Sequence, residues 1–485
     1  MSLLDRIMAN LPEVKGPKQK RLAFKEKLKW TLIILVLFFV MGLIPLFGLG
    51  ENALQQFEFL SIILGAKFGS ILSLGIGPIV TASIVLQLLK GANILKIDLT
   101  SHEGKQKFQG LQKILSVFFI VFEAIIYVFM GGLAPSAALA GTGLYFQLEL
   151  LLVFQLFLGG LLIMFMDEVV SKWGFGSGLS LFIAAGVSEE IFLKALNPLP
   201  SPFQPDIAAG AIPAIFQSLS HGDPLTATLK IAALVSTIVV FMIVVYTQSM
   251  KVEIPLSFGR VRGHGMRWPL NFFYTSNIPV ILVAALLANI QLWARLLQRA
   301  TDSCRLALTS GSACSWWQTI LLYVSNFFGT YVGQNPATGL IAWINSPDIV
   351  GNIIKGNLTF IQLGHSLTYM LIMILGSVVF SIFWMQTANM DARSQADQIM
   401  ASGLQIPGFR RDPRVLESIL KRYIWPLTIL GGASVGFLAA LADLTGSLSR
   451  GTGILLAVMI IYRLYEEVAK QHMMDMHPLM RKFME

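Results

Sequence analysis

Ten mostly apolar runs recur along the whole chain, at roughly 30–49, 71–89, 114–132, 145–166, 178–193, 231–249, 274–294, 367–386, 424–442 and 451–465. A helix needs about 20 such residues to cross the hydrocarbon core. In lipid every backbone polar group must also find a partner inside the structure. None of the runs alternates with period two, as barrel strands would. The pattern predicts an all-α multi-pass membrane protein of ten transmembrane helices. Only 13% of the residues are charged and 55% are hydrophobic, against ~25% charged in soluble domains. A soluble enzyme and a disordered chain are both excluded.

The polar, basic stretch 1–29 precedes the first run, and no small-residue cleavage signature follows it. It reads as a retained first span, not a removed signal peptide. Cationic side chains favour the cytoplasmic side. With the N-terminus inside, the inside segments hold 28 of the 36 Lys and Arg residues and the outside segments hold 8. The protein is expected in the cell membrane with both termini cytoplasmic. Trp316 to Val332 could tempt an eleventh span. Its Trp317, Leu321, Val324, Phe328 and Tyr331 fall on one helical stripe, and crossing would flip the basic loop 387–423 outside. An amphipathic helix on the outer surface is expected instead, with a shorter one near Ile207 to Leu219. Cys304 and Cys314 share this outside loop. On the oxidising side they are either a structural disulfide or two unpaired thiols.

Motifs for chemistry are sparse. There is no phosphate-binding Gly-rich loop and no HExxH metal motif. Gly432-Ala433-Ser434-Val435-Gly436 matches a nucleophile elbow in spelling only, because it lies inside an apolar run and not at a strand-to-helix turn. Small residues at this spacing let membrane helices approach closely. All six histidines lie outside the runs, and Glu123 is the one carboxylate near the middle of a run. It either marks a functional site or pins helix packing. Neither an enzyme nor a cofactor is expected, and conduction without chemistry is the natural class.

Ser70 to Leu89 reads SILSLGIGPIVTASIVLQLL, with Gly75, Gly77 and Pro78 breaking the start of the second run. Lys27-Leu28-Lys29-Trp30-Thr31, Asp167 to Lys172 followed by Gly174 to Gly178, Val252 to Leu256, Asn277 to Ile281, Ala288 to Gln291 and Gly451 to Leu455 add further blocks. Together they resemble the SecY family, the large subunit of the protein-conducting channel, in its archaeal form. The resemblance covers nearly the whole chain. It implies two pseudo-symmetric halves of five helices, at 1–200 and 228–485, joined by a connector at 201–227.

The resemblance also implies working parts. A ring of Ile76, Val80, Leu179, Ile183, Ile281 and Leu456 would form an apolar neck that hydrated ions cannot cross. A plug about 57–68 would include Phe57, Phe59, Leu60, Ile62, Ile63, Leu64, Gly65 and Phe68. A lateral gate between the second, third, seventh and eighth helices would be latched by Thr81, Gln87, Glu123 and Asn289. Two inside loops, 250–273 and 387–423, would dock ribosomal RNA and protein through Arg260, Arg262, Arg267, Arg410, Arg411, Arg414, Lys421 and Arg422, because phosphate attracts such clusters. Implied partners are SecE-type and beta-type small membrane subunits, the ribosome, signal peptides and nascent polypeptides, and the lipid bilayer. The implied function is the pore of the protein translocase. A secondary transporter of a small solute is the alternative; it would want more midplane acids than Glu123 alone.

Overall fold

The computed structural model describes residues 12–18, 22–52, 66–91, 94–95, 97, 101–139, 141–200, 207–258, 265–275, 277–309, 314–332, 335–401, 404–405 and 413–476. Each apolar run falls on one long helix. These are α1 (Phe24–Gly42), α2 (Gly77–Gly91), α3 (His102–Phe129), α4 (Gly143–Trp173), α5 (Gly178–Leu196), α6 (Pro224–Gln248), α7 (Ile278–Thr309), α8 (Phe360–Thr387), α9 (Pro413–Leu444) and α10 (Gly451–Met476). Among the described residues, α3, α4, α6, α7, α8 and α9 are long and apolar enough to cross a membrane on length and composition alone. The other four are shorter or carry charge near one end.

The helices form two groups of five. In one, α3 packs on α2 and α4, and α1 packs on α4 and α5; in the other, α8 packs on α7 and α9, and α10 on α6 and α9. The groups meet along two seams, one where α2 touches α7 and α8, the other where α10 touches α1 and α5. The α8–α9 pair is the most extensive. A Cβ on Gly432 would come within 2.8 Å of Ser381 Cβ, and one on Gly436 within 2.6 Å of the Met373 carbonyl. Thus the serine-centred motif in α9 is a close-packing face, as small residues in membrane helices usually are.

The second run departs from its expected span. It is helical only from Gly77, and 15 residues rise about 22 Å. Residues 71–76 are folded into tight turns, with Leu72, Ser73 and Leu74 fully buried. Gly75 supplies a left-handed φ of +57°, and Pro78 fits the first helical turn, where a missing N–H costs nothing. The first run also ends early, at Gly42. The chain then pairs with the approach to α2: the Leu46 N–H donates to the Gly69 carbonyl at 2.9 Å and the Ile71 N–H to the Ile44 carbonyl at 3.0 Å. Gln155, midway along apolar α4, closes two bonds with the Phe47 backbone, at 2.9 and 3.0 Å.

The expected inside loops are more structured than all-α reading allowed. Strands β1 (Lys251–Phe258) and β2 (Gly265–Asn271) form an antiparallel hairpin, and β3 (Leu404–Gln405) adds to β1 through Ser257↔Gln405 and Phe258↔Leu404. A second apolar core lies beneath. Ile254 and Leu270 of the hairpin pack there with Ala396 and Ile399 of the short helix Ala392–Ala401 and with Leu416 and Leu420 of α9. Val252, Ile254, Leu256 and Phe258 alternate with polar neighbours, the period of a half-buried strand.

Candidate functional site

The site is a cavity of about 640 Å³ between the two helix groups. Ile76 and Val80 enter it from the start of α2, Leu179 and Ile183 from α5, and Ile281 from the first turn of α7. Leu456 of α10, the sixth expected ring residue, is not on its wall; it is buried in the same apolar core as Ile76, Val80, Ile183 and Ile281, against which Leu179 packs. The remaining wall is mixed: Gln87, Gln112, Asp167, Asn277, Arg463 and Glu467 stand beside apolar groups such as Phe108, Phe175 and Trp384.

Sequence reasoning missed the groups that set this geometry. Asp167, near the C-terminal end of α4, accepts from the Leu179 N–H at 3.0 Å and from the Ser177 hydroxyl. It caps α5 and fixes where Leu179 enters the cavity. Gln112 of α3 donates to the Ser83 hydroxyl of α2 at 2.7 Å. The available signal was position: both polar residues flank the inner ends of apolar runs. Nearby, Lys172 binds Glu13 Oε1 and the Val14 carbonyl, each at 2.5 Å, while Glu168 accepts from Lys113 and from the Val14 N–H, each at 3.0 Å. This clamp ties the segment 12–18 to α4. The Lys172 hydrogen bond, helped by its charge, holds the Glu13 carboxyl below the usual range.

Beside the cavity, a small polar cluster bridges the α2–α7 seam. Asn289 Nδ2 of α7 donates to Thr81 Oγ1 of α2 at 2.9 Å. The single Thr81 proton has two acceptors in reach, the Gly77 carbonyl at 2.8 Å and Glu123 Oε1 of α3 at 3.3 Å. All three side chains are buried. Glu123 Oε2 and Asn289 Oδ1 have no partner, and neither does the Tyr127 hydroxyl one turn further along α3. Gln87 does not join them. It lies six residues past Thr81, about 9 Å of rise, with its own Oε1 unpartnered in the cavity wall. The expected foursome is a threesome.

Of the expected plug, Phe57, Phe59, Leu60, Ile62, Ile63, Leu64 and Gly65 lie outside the described residues. Phe68 is half-buried against the main core. Next to it, Lys67 pairs with Glu189 of α5 at 2.9 Å and sits over the Phe39 ring of α1. The segment's return end is thus pinned to both helices.

Arg260, Arg262, Arg410 and Arg411 also fall outside the described residues. Arg267 is in β2, and Arg414, Lys421 and Arg422 ride on the exposed start of α9, not on a loop. Because β3 pairs with β1, the described parts of the two inside-loop segments meet in one sheet. On the opposite side, Cys304 and Cys314 are joined, with Cα atoms 5.6 Å apart. The bond links the C-terminal end of α7 to the helix Trp316–Phe328. Gln298 of α7 clamps the Tyr331 backbone at 2.7 and 3.1 Å, and burial pushes the Tyr331 hydroxyl up to about 12.

Comparison with known proteins decides the family. The SecY family model matches residues 70–465, and a model of the plug domain of Sec61p matches residues 36–69. The chain belongs to the SecY family. The protein translocase subunit SecY of Methanothermobacter thermautotrophicus is 46% identical, over 99% of this chain and 98% of that protein. The subunit of Methanocaldococcus jannaschii is 39% identical over the full length of both. Among solved structures, a protein conducting channel is 38% identical with a TM-score of 0.80, covering 98% of this chain and 99% of that one. Sec61 in a canine ribosome–channel complex from the endoplasmic reticulum reaches a TM-score of 0.77 at 38% identity, with the same coverage. SecY membership accounts for the ten helices in two groups and for a multi-span membrane protein of the translocon.

Proposed function

We propose that this chain is the central, pore-forming subunit of a protein translocase. It conducts secretory polypeptides across the membrane and releases membrane segments sideways into the bilayer. The observation that carries this reading is the convergence of Ile76, Val80, Leu179, Ile183 and Ile281 from three different elements on one cavity between the helix groups. Aliphatic side chains at a neck exclude hydrated ions by dewetting and give a sliding polypeptide nothing to bind. Leu456 completes the ring from α10. Residues 1–200 and 228–485 act as two halves hinged through 201–227, and the segment about 57–68 plugs the outer side.

The α2–α7 seam is the lateral exit, and Thr81, Glu123 and Asn289 latch it. Gln87 lines the route in. The basic inner face, built by Arg260, Arg262, Arg267, Arg410, Arg411, Arg414, Lys421 and Arg422, docks the ribosome. The β1–β3 pairing, which joins the described parts of both loops in one sheet, supports this, and the canine relative is in a ribosome–channel complex. SecE-type and beta-type subunits complete the assembly. Both termini are cytoplasmic, the protein sits in the cell membrane, and it performs no covalent chemistry, so the driving force comes from a partner.

The test is ion conductance of reconstituted bilayers. Ile183→Asn at the neck is expected to raise chloride leak, whereas Ile238→Asn on exposed α6 leaves it at the wild-type level. Equal leak from both would contradict the reading.

A further inference from the structure

No charged residue occurs from Leu306 to Pro347 on the outer side of the molecule. A water-exposed loop of that length would carry charges at roughly one residue in four. The helix Trp316–Phe328 lies inside this gap, and its two faces differ from the single apolar stripe expected of it. Leu321, Ser325 and Phe328 turn inward, with Ser325 fully buried and within 3.3 Å of Arg305 of α7. The outward face is the apolar one. Trp316, Trp317, Ile320, Tyr323, Val324 and Phe327 are all exposed, Trp316 at 77%, Tyr323 at 73% and Phe327 at 70%. Their spacing of three and four residues makes one continuous stripe.

We propose that this stripe lies in the outer headgroup layer of the membrane, so that the helix is a lipid anchor for the outer end of α7. Trp and Tyr are the side chains that prefer that layer, where an apolar ring and a polar tip are both satisfied. An uncharged surface also suits it. The apolar surface is continuous with the lipid-facing side of α8. Helix Trp316–Phe328 touches the short helix Leu340–Ile344, which packs on α8. There Trp343 is exposed, and Phe360, Ile361, Leu367 and Leu371 carry the exposed stripe down α8. The anchor is rigidly tied to α7 by the Cys304–Cys314 bond and the Gln298–Tyr331 pair. It therefore fixes the depth of one wall of the seam.

The experiment uses the full chain in phosphatidylcholine vesicles, with bromine near the headgroup end of the acyl chains. The emission that disappears in Trp316→Phe/Trp317→Phe, relative to wild type, isolates these two rings. Bromolipid is expected to quench most of that difference emission, and aqueous acrylamide little of it. Adding Phe327→Trp to the double variant restores emission further along the stripe, with the same quenching pattern expected. Quenching by acrylamide but not bromolipid places the stripe in water and overturns the proposal. Resistance to both overturns it in favour of a second copy or a partner protein covering the face. Failure of the neck's ion seal would leave these outcomes unchanged, so the two readings fail separately.

Discussion

Two of the buried polar clusters that link helices among the described residues are finished to different degrees. At the C-terminal end of α9, Asp443 accepts from the Tyr369 hydroxyl of α8, from the Thr452 N–H of α10 at 2.7 Å, and from the Thr452 hydroxyl. Both carboxylate oxygens are in use, and the negative charge faces a helix N-terminus, where it is favoured. At the α2–α7 seam, Asn289, Thr81 and Glu123 share a single well-made bond and leave Glu123 Oε2 and Asn289 Oδ1 unmet. A buried polar group without a partner costs about 1–3 kcal/mol. The first cluster is a permanent joint within one helix group. The second, between groups, is less completely bonded, and under the lateral-exit proposal it would be the cheaper one to part.

The contrast can be broken at its strong end first. Asp443→Ala strands three donors in a dry site and is expected to cost about 3–5 kcal/mol, read as a large fall in Tm of the purified protein. A fall no larger than that of a surface alanine would erase the distinction. The seam comes next. Asn289→Leu removes the unmet Oδ1 along with the bond to Thr81, and the closed seam is expected to gain about 1 kcal/mol. Export of weak-signal substrates should drop by roughly fivefold with Tm unchanged; unchanged or improved export would refute this. Thr81→Val has a smaller effect of opposite sign. It leaves Asn289 Nδ2 unpaired, so weak signals should be exported slightly better.

The smallest effect lies far from both clusters. Glu13 is held below its usual range by Lys172, so its contribution is present above the ordinary pKa and is lost as pH falls through the lower folded value. The segment 12–18 is then expected to become protease-sensitive only below about pH 4. Release near pH 6 would assign the clamp to other groups.

Much of the fold was legible in the sequence, because apolar runs are long-range averages that a few misplaced residues cannot hide. All ten runs became helices, and Ile76, Val80, Leu179, Ile183 and Ile281 share one cavity. What escaped was local. The β1–β2 hairpin carried its alternation in plain view at Val252, Ile254 and Leu256, but a two-residue strand such as β3 has no pattern of its own and forms only because β1 is there. Asp443, Tyr369 and Thr452 sit at the ends of separate runs, where polar residues are ordinary, and only the packing of three helices makes them one cluster. Gln155 looked like an interruption of α4 and instead satisfies the backbone of a neighbouring turn. The stripe on Trp316–Phe328 has apolar residues on both faces, so periodicity could not say which one points outward.

The most direct test of the apolar neck is a photocrosslinker at Ile281, in full-length protein engaged with a ribosome-stalled nascent chain. The account predicts crosslinks to the chain that persist as the stalled chain is lengthened, and none from the same probe at lipid-facing Ile238. Crosslinks from Ile238 and silence from Ile281 would mean that the polypeptide takes another route.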